Sequence, residues 1–291
     1  MHVRPHALGC GGRACLCLAF LSFFPASQAL AAGPNQFVIL SDTQTLEGVD
    51  QLTREVIDLG VPFVVSVGDV PSSFDPKVNH FRRLREAGMQ IHIAMGNHDE
   101  GPKALVRSGL PPYPLNDQVD PALRFAVENK YYYSFNRGGI HFVIVDTCTD
   151  DKEAEIEWLE ADLIRHVNNP DRLPSLLFMH YPEWMLGQDA QNGGPIYRVL
   201  ASAPDKHTVK AAFAGHTHKG ELYPAEQTMG IPLYTLHPSA PFGKDTHTEF
   251  VLVTVKPDEL QFERKIVLEG GKAGGFKIQS IKGRFGDVNR D

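Results

Sequence analysis

Short hydrophobic runs alternate with stretches of helical spacing along this sequence, and the alternation constrains the fold more than any other feature. Residues 37–40, 62–67 and 90–95 have the length and the apolar composition of buried strands. Residues 49–59 carry apolar side chains at helical spacing and stop at a glycine, and residues 76–87 repeat that arrangement. A β-α-β-α-β order of this kind predicts a parallel sheet and an α/β fold.

The alternation continues in the second half of the chain. Residues 131–135 and 140–145 flank a Gly-Gly pair and predict a hairpin. Further predicted elements are a helix at 153–167, a strand at 175–179, a helix at 196–203, and strands at 209–214, 232–236, 250–255 and 260–266. We find no internal repeat and no interdomain linker. We therefore predict one domain over residues 33–291, with no strong pattern in the tail from about residue 270.

Residues 101–129 interrupt the alternation, because prolines are frequent in this stretch. Prolines at this density predict a long, ordered loop on the surface of the protein. The stretch could form a lid that shapes substrate access, or it could simply connect two strands. The sequence leaves both interpretations open.

The first 32 residues differ from the rest of the chain. Arg4 and Arg13 precede the apolar residues 14–24, and small residues follow up to Ala31 and Ala32. This order is typical of a cleaved secretory signal peptide. A permanent N-terminal anchor is the alternative, but about a dozen apolar residues are too few to span a bilayer. We expect a periplasmic or secreted protein with no stable membrane anchor.

Charge and cysteine content narrow the class of protein further. The formal net charge is −7, and removal of the two arginines of residues 1–32 would make it −9. An acidic chain without a basic stripe is not expected to bind nucleic acid. Cys148 is the single cysteine beyond the leader, so no internal disulfide is expected. Because Cys148 follows an apolar run, we expect a buried, inert thiol.

Polar residues follow five of the predicted strands directly. They are Asp42 and Gln44, then Asp69, then Asn97 with His98 and Asp99, then His180, and finally His216 with His218. Carboxylate, amide and imidazole groups are ligands of divalent transition metals. Polar residues at the ends of several strands of an α/β sheet can converge on one crevice. The set therefore predicts a metal centre, and a two-metal centre of this composition suits the hydrolysis of phosphate esters.

The five segments read Asp-x-Gln, Gly-Asp, Gly-Asn-His-Asp, His and Gly-His-x-His in chain order. This series resembles the calcineurin-like metallophosphoesterase superfamily over roughly residues 37–218. The resemblance implies a four-layer α/β/β/α sandwich of two mixed β-sheets. It also implies two metal ions, for which manganese, iron and zinc all suit these ligands.

The resemblance further implies a role for each residue. Asp42, Asp69 and His218 would hold the first ion, and Asp69 would bridge to a second ion held by Asn97, His180 and His216. His98 would stabilise the transition state or protonate the leaving oxygen, and Asp99 would orient the His98 ring. Gln44 departs from the pattern, since the superfamily usually has histidine there. Its amide oxygen could bind the first ion directly or through water, and the sequence decides neither.

The expected function is therefore that of an exported phosphoesterase. It would hydrolyse a small-molecule phosphomonoester or phosphodiester by direct attack of a hydroxide generated between two ions. A binding protein that has lost catalysis on the same scaffold is the main alternative, and a nuclease is another. Tyr181 and Trp184 could stack on a substrate or pack in the core. Histidines outside the five segments are expected to be structural or on the surface: His92 and His141 in the first group, His80 and His166 in the second.

Overall fold

The computed structural model describes residues 35–43, 49–70, 80–99, 131–169, 172–186, 194–202, 208–224, 227–228, 230–240, 247–256, 259–268 and 273–282. The expected leader (1–32), Gln44 and the proline-rich stretch (101–129) lie outside these residues. The predictions made for them therefore remain predictions. No helix within the described ranges is long and apolar enough to cross a membrane.

The described elements alternate along the chain much as the hydrophobic pattern predicts. In order they are β1 (Gln36–Leu40), α1 (Val49–Leu59), β2 (Phe63–Ser66), α2 (His80–Glu86), β3 (Gln90–Ile93), β4 (Tyr133–Arg137), β5 (Ile140–Ile144), α3 (Lys152–Val167), β6 (Ser175–Met179), a 3-10 turn (Pro182–Trp184), α4 (Pro195–Ser202), β7 (Val209–Ala214), β8 (Leu222–Tyr223), β9 (Leu233–Thr235), β10 (His247–Lys256), β11 (Glu259–Leu268) and β12 (Ala273–Lys282).

The strands form two mixed sheets. The first has the order β12-β11-β10-β1-β2-β3 and the second the order β4-β5-β6-β7-β9-β8. In the first sheet β1, β2 and β3 are parallel, and β10 joins β1 antiparallel. In the second sheet β5, β6, β7 and β9 are parallel, with antiparallel strands at both edges. Each sheet thus contains a group of adjacent parallel strands, whose carboxyl ends lie at the same edge of that sheet.

The two sheets face each other across an aromatic core. Phe37 of β1 stacks on Phe63 of β2, with ring centroids 5.0 Å apart, and both contact Phe142 of β5 edge to face. Phe178 and Phe213 continue the same layer through β6 and β7. Because side chains alternate along a strand, Phe37 points into this layer while its neighbour Val38 points to the opposite face.

Helices cover the outer face of each sheet. Leu52 and Val56 of α1 and Phe81 of α2 pack against the outer side of the first sheet. Helices α3 and α4 bury Leu159 and Ile196 against the second sheet in the same way. The arrangement is the expected four-layer α/β/β/α sandwich of two mixed sheets.

Several details differ from the sequence-based predictions. Strand β12 lies in the tail where the sequence shows no pattern, because it joins the sheet through backbone pairing with β11 and needs no alternating side chains. His80 and His166, expected on the surface, are 1% and 6% exposed. His80 begins α2 against the ring of Phe81, and His166 bonds to the backbone of Leu173, so packing decides their burial. Cys148 is half-buried rather than fully buried.

Candidate metal centre

The predicted ligands lie beyond the carboxyl ends of the parallel strands of both sheets. Asp42 follows β1 and Asp69 follows β2, and Asn97 lies in the turn after β3. From the second sheet, His180 follows β6, and the pair His216 and His218 follows β7. Because the two sheets face each other, the carboxyl ends of their parallel strands open onto one crevice.

Asp42, Asp69 and His218 form the first cluster of donor atoms. One ligand atom from each lies within 4.8 Å of the other two. The Nε2 atom of His218 is 3.0 Å from Oδ1 of Asp42. The other oxygen of Asp42 accepts a hydrogen bond from the hydroxyl of Ser41. This bond fixes the orientation of the carboxylate group. Two buried carboxylates beside an imidazole are the donor set that a divalent ion requires.

His180, Asn97 and Asp69 form the second cluster. His180 is fully buried, and its Nδ1 atom lies 2.8 Å from the carbonyl oxygen of Val67. A carbonyl oxygen can only accept, so Nδ1 carries the proton and Nε2 presents a lone pair. That lone pair faces Oδ1 of Asn97 at 3.0 Å and Oδ1 of Asp69 at 3.4 Å. These three acceptor atoms converge, which suits a cation bound between them.

Asp69 belongs to both clusters. Its carboxylate is 2% exposed, and Oδ1 also accepts a hydrogen bond of 3.0 Å from the backbone N–H of His98. A carboxylate has two oxygens and several lone pairs, so one aspartate can serve two neighbouring ions. The carboxylate of Asp69 thus lies within reach of the donor atoms of both clusters.

The backbone at these ligands has an unusual conformation. Within the described part of the chain, the non-glycine residues with positive φ are four predicted ligands: Asp42 (48°), Asp69 (53°), His216 (67°) and His218 (57°). A left-handed backbone with a side chain costs about 1–3 kcal/mol per residue and persists where the surroundings enforce it. Such outliers concentrate at functional sites, which supports the assignment of these loops to one centre.

Close packing against the proposed ligands explains why glycine occupies two positions in the Gly-Asp and Gly-Asn-His-Asp segments. A Cβ atom on Gly96 would lie 2.2 Å from Oδ1 of Asp69, and one on Gly68 would lie 2.6 Å from Nδ1 of His180. Gly68 also has a φ of 102°, which a side chain rarely adopts. Both positions thus allow the backbone to approach the ligands directly.

Asp99 has a different partner from the one expected. The sequence-based prediction gave it the task of orienting the His98 ring. Instead, its Oδ2 atom accepts hydrogen bonds from the N–H groups of Gly96 (2.6 Å) and Asp69 (3.0 Å), and Oδ1 accepts from Val70 (2.8 Å). Among the hydrogen bonds of the described residues, none joins Asp99 to the His98 ring. The tight turn points the carboxylate inward, where it ties the β2 loop to the β3 loop.

His98 and His216 occupy more open positions. The side chain of His98 is exposed, while its backbone N–H bonds to Asp69. His216 is half-buried, and its ring lies 5.3 Å from the ring of His180. Of the two aromatic candidates, Trp184 is buried in the core, whereas Tyr181 packs against the ring of His216 at 4.4 Å.

Burial shifts the pKa values of two groups at the centre. Desolvation raises the pKa of Asp99 to about 7, although three backbone N–H groups act in the opposite direction. Desolvation, followed by the neighbouring His180, lowers the pKa of His216. A lowered pKa keeps the imidazole of His216 neutral, which is the form that binds a metal.

Sequence reasoning missed some of the residues that support the centre. The hydroxyl of Ser41 and the carbonyl oxygen of Val67 each fix a predicted ligand. Ser41 could have been proposed from its place immediately before Asp42. A backbone carbonyl leaves no signal in a sequence, so the role of Val67 required the structure.

Comparison with known proteins agrees with this geometry. Residues 36–220 match the sequence model of one family, described as calcineurin-like phosphoesterase. The matched range covers more than half of the chain and contains all five polar segments. The chain belongs to the calcineurin-like phosphoesterase family. Membership suggests metal-dependent hydrolysis of phosphate esters.

One curated protein shows a weaker, partial sequence similarity to this chain. The chain is 27% identical to purple acid phosphatase 23 of Arabidopsis thaliana over 201 residues, which are 65% of this chain and 41% of that protein. The chain thus spans less than half the length of this curated relative. Family membership and this similarity support phosphoesterase activity in general.

Two of the solved structures similar to this chain illustrate the range of the likeness. Vacuolar protein sorting 29 of Cryptosporidium parvum has a TM-score of 0.49 and 12% identity, over 85% of this chain and 98% of that one. Phosphopantetheinyl hydrolase of Mycobacterium tuberculosis has a TM-score of 0.41 and 12% identity, over 72% of this chain and 91% of that one.

Proposed function

We propose that this protein is an exported phosphoesterase that hydrolyses a small-molecule phosphomonoester or phosphodiester at a centre of two metal ions. The observation that carries the proposal is the shared position of Asp69. One carboxylate lies within 4.8 Å of ligand atoms of Asp42 and His218 and 3.4 Å from Nε2 of His180, which in turn lies 3.0 Å from Oδ1 of Asn97. A single ion would not need donors on both sides of one carboxylate.

The assignment of ligands follows the two clusters. Asp42, Asp69 and His218 would hold the first ion, and Asp69 would share the second with Asn97, His180 and His216. When bound, two such ions polarise a phosphoryl oxygen and lower the pKa of water. The mixed oxygen and nitrogen donors suit manganese, iron or zinc. Gln44, which lies outside the described residues, would complete the first site directly or through water.

The chain itself supplies the proton donor. His98 has an exposed side chain, while its backbone N–H is fixed to Asp69 at 3.0 Å. Its imidazole can therefore lie over a phosphate ester bound between the clusters. In this position it donates a proton to the leaving oxygen, which becomes an alcohol. Asp99 holds the loop that carries His98 and leaves the ring free to move.

The site of action and the substrate class rest on the sequence. The leader-like order of residues 1–32 favours export to the periplasm or the exterior, and the acidic charge disfavours a nucleic-acid substrate. A binding protein built on the same scaffold is the competing function. It would keep the ligands but turn over no ester.

The test combines metal analysis with turnover. Purified protein lacking residues 1–32 is loaded with manganese, iron or zinc, and its metal content is measured. It is then assayed on p-nitrophenyl phosphate and on bis-p-nitrophenyl phosphate. We expect two ions per chain and hydrolysis of at least one ester that EDTA abolishes. Two bound ions without turnover of either ester would favour the binding protein, and no bound ion would overturn the proposal.

Two variants sharpen this experiment. Asp69→Asn should lower the affinity for both ions, because both clusters use this carboxylate. Asp42→Asn should weaken only the ion beside His218. Equal effects of the two variants on both ions would contradict the bridging role of Asp69.

A further inference from the structure

The ring of His216 differs from that of His180 in how it is held. Imidazoles that bind metals are commonly oriented by a hydrogen bond from the nitrogen that does not face the ion. His180 has such a bond, to the carbonyl oxygen of Val67. Among the hydrogen bonds of the described residues, none involves the ring of His216, and only its backbone N–H is engaged, with Asp42 at 3.3 Å. Ring packing is therefore the contact that fixes the side chain within this part of the molecule.

Two rings provide that packing. The Tyr181 ring meets the His216 ring edge to face, with centroids 4.4 Å apart and an angle of 81° between planes. The His180 ring lies 5.3 Å from His216 and 5.3 Å from Tyr181. The three rings contact one another pairwise, so the His216 imidazole packs against two neighbours at once. Edge-to-face contacts of this kind are attractive.

The loop that follows β5 holds the backbone of Tyr181 in place. Its backbone N–H donates to Oγ1 of the buried Thr147 at 2.8 Å. Its carbonyl oxygen accepts from the N–H of Trp184 at 3.4 Å in the 3-10 turn. Because the backbone of Tyr181 is held by hydrogen bonds on both sides, its ring can act as a fixed wall for the His216 ring.

We propose that Tyr181 is a positioning residue that holds the His216 imidazole in the orientation needed to bind a metal ion. Tyr181 acts through His216 and needs no contact with the substrate. The inference rests on the two-ion centre of the proposed function.

The test measures metal binding and does not depend on hydrolysis. Metal-free wild type, Tyr181→Leu and Tyr181→Phe are titrated with cobalt(II) or zinc in competition with a chromophoric chelator. Tyr181→Leu should bind the ion on the His216 side about tenfold more weakly, as expected when support for a ligand is lost. The ion beside Asp42 and His218 should keep its affinity and serves as an internal control. Tyr181→Phe keeps the ring and should stay close to wild type.

Tyr223→Leu is the matched control. Tyr223 is also a half-buried tyrosine at the edge of the same outer hydrophobic cluster, but it makes no ring contact with His216 among the described residues. Its loss should leave both affinities unchanged. Circular dichroism and thermal unfolding in EDTA check that each variant folds. If Tyr181→Leu does not fold, Tyr181→Met preserves the bulk without the aromatic ring and gives the same comparison.

The outcomes separate this inference from the proposed function. Wild type that binds two ions, with Tyr181→Leu binding both equally well, overturns the role of Tyr181 and leaves the metal centre intact. An equal loss in Tyr223→Leu also overturns it, because the effect would then be general packing. Wild type that binds no ion overturns both proposals. A weakened second ion accompanied by an altered cobalt absorption band in Tyr181→Leu alone supports the inference.

Discussion

Replacement of His92 with phenylalanine should make this protein more resistant to acid. His92 is 5% exposed and stacks on Phe135, with ring centroids 3.9 Å apart. Its Nδ1 atom lies 3.4 Å from the hydroxyl of Tyr133. Burial, assisted by the charge of Arg137, lowers the pKa of His92 from 6.5 to about 3. The folded protein therefore keeps this imidazole neutral at pH values where an unfolded chain would protonate it.

The size and sign of the effect follow from that shift. As the pH falls below 6.5, the unfolded chain binds a proton that the folded chain does not, so the free energy of unfolding decreases. The stability due to neutral His92 is complete above pH 6.5 and is lost progressively toward pH 3. Between pH 7 and pH 5 the loss amounts to about 2 kcal/mol for a histidine shifted this far. Phenylalanine cannot bind a proton and should abolish this part of the loss.

Urea unfolding at pH 7 and pH 5 in EDTA measures the difference. Wild type should lose about 2 kcal/mol more stability over this interval than His92→Phe. Other titrating groups are common to both proteins and cancel. Tyr133→Phe is the matched control, since it removes the hydroxyl bonded to His92 but keeps the imidazole, and it should retain the wild-type pH dependence. Equal losses in wild type and His92→Phe would refute the reasoning.

Three further predictions concern the metal centre. His98→Ala should lower turnover by about 10²–10⁴-fold at unchanged metal content, and loss of bound metal would argue against its role as an acid. His216→Gly should be more stable than His216→Ala by about 1–3 kcal/mol in EDTA, because φ is positive at this position; urea unfolding that ranks alanine first would contradict this. Asp99→Asn replaces one acceptor with a donor that opposes the backbone N–H groups, and should cost about 1–3 kcal/mol by the same measurement.

The sequence located each proposed ligand directly after a strand, because the signal of a strand is local. The run before Asp42 and the run before His180 are short, apolar and bounded by polar residues. Once such strands are parallel and adjacent, their carboxyl ends must meet at one edge. The pairing of two mixed sheets came from the family resemblance, since nothing local indicates which sheet a strand joins.

Other features depend on tertiary contacts that leave no local trace. Asp99 stands next to His98 in the sequence, yet the turn directs its carboxylate to backbone N–H groups from another loop. His80 was expected on the surface, but it is buried at the start of α2 beside the ring of Phe81. Strand β12 was missed because it is held by hydrogen bonds to β11.

The division of ligands between two sheets has a consequence for how the protein acquires its metal. Asp42, Asp69 and Asn97 are synthesised early, but their partners His180, His216 and His218 come more than 80 residues later. Neither set alone offers the mixed carboxylate and imidazole donors that the two proposed ions would need. Metal binding would therefore follow docking of the two sheets, and the bound ions would then link the sheets. Chelation should consequently loosen the contact between the sheets before it disrupts either sheet, an order that amide hydrogen exchange can follow along the chain.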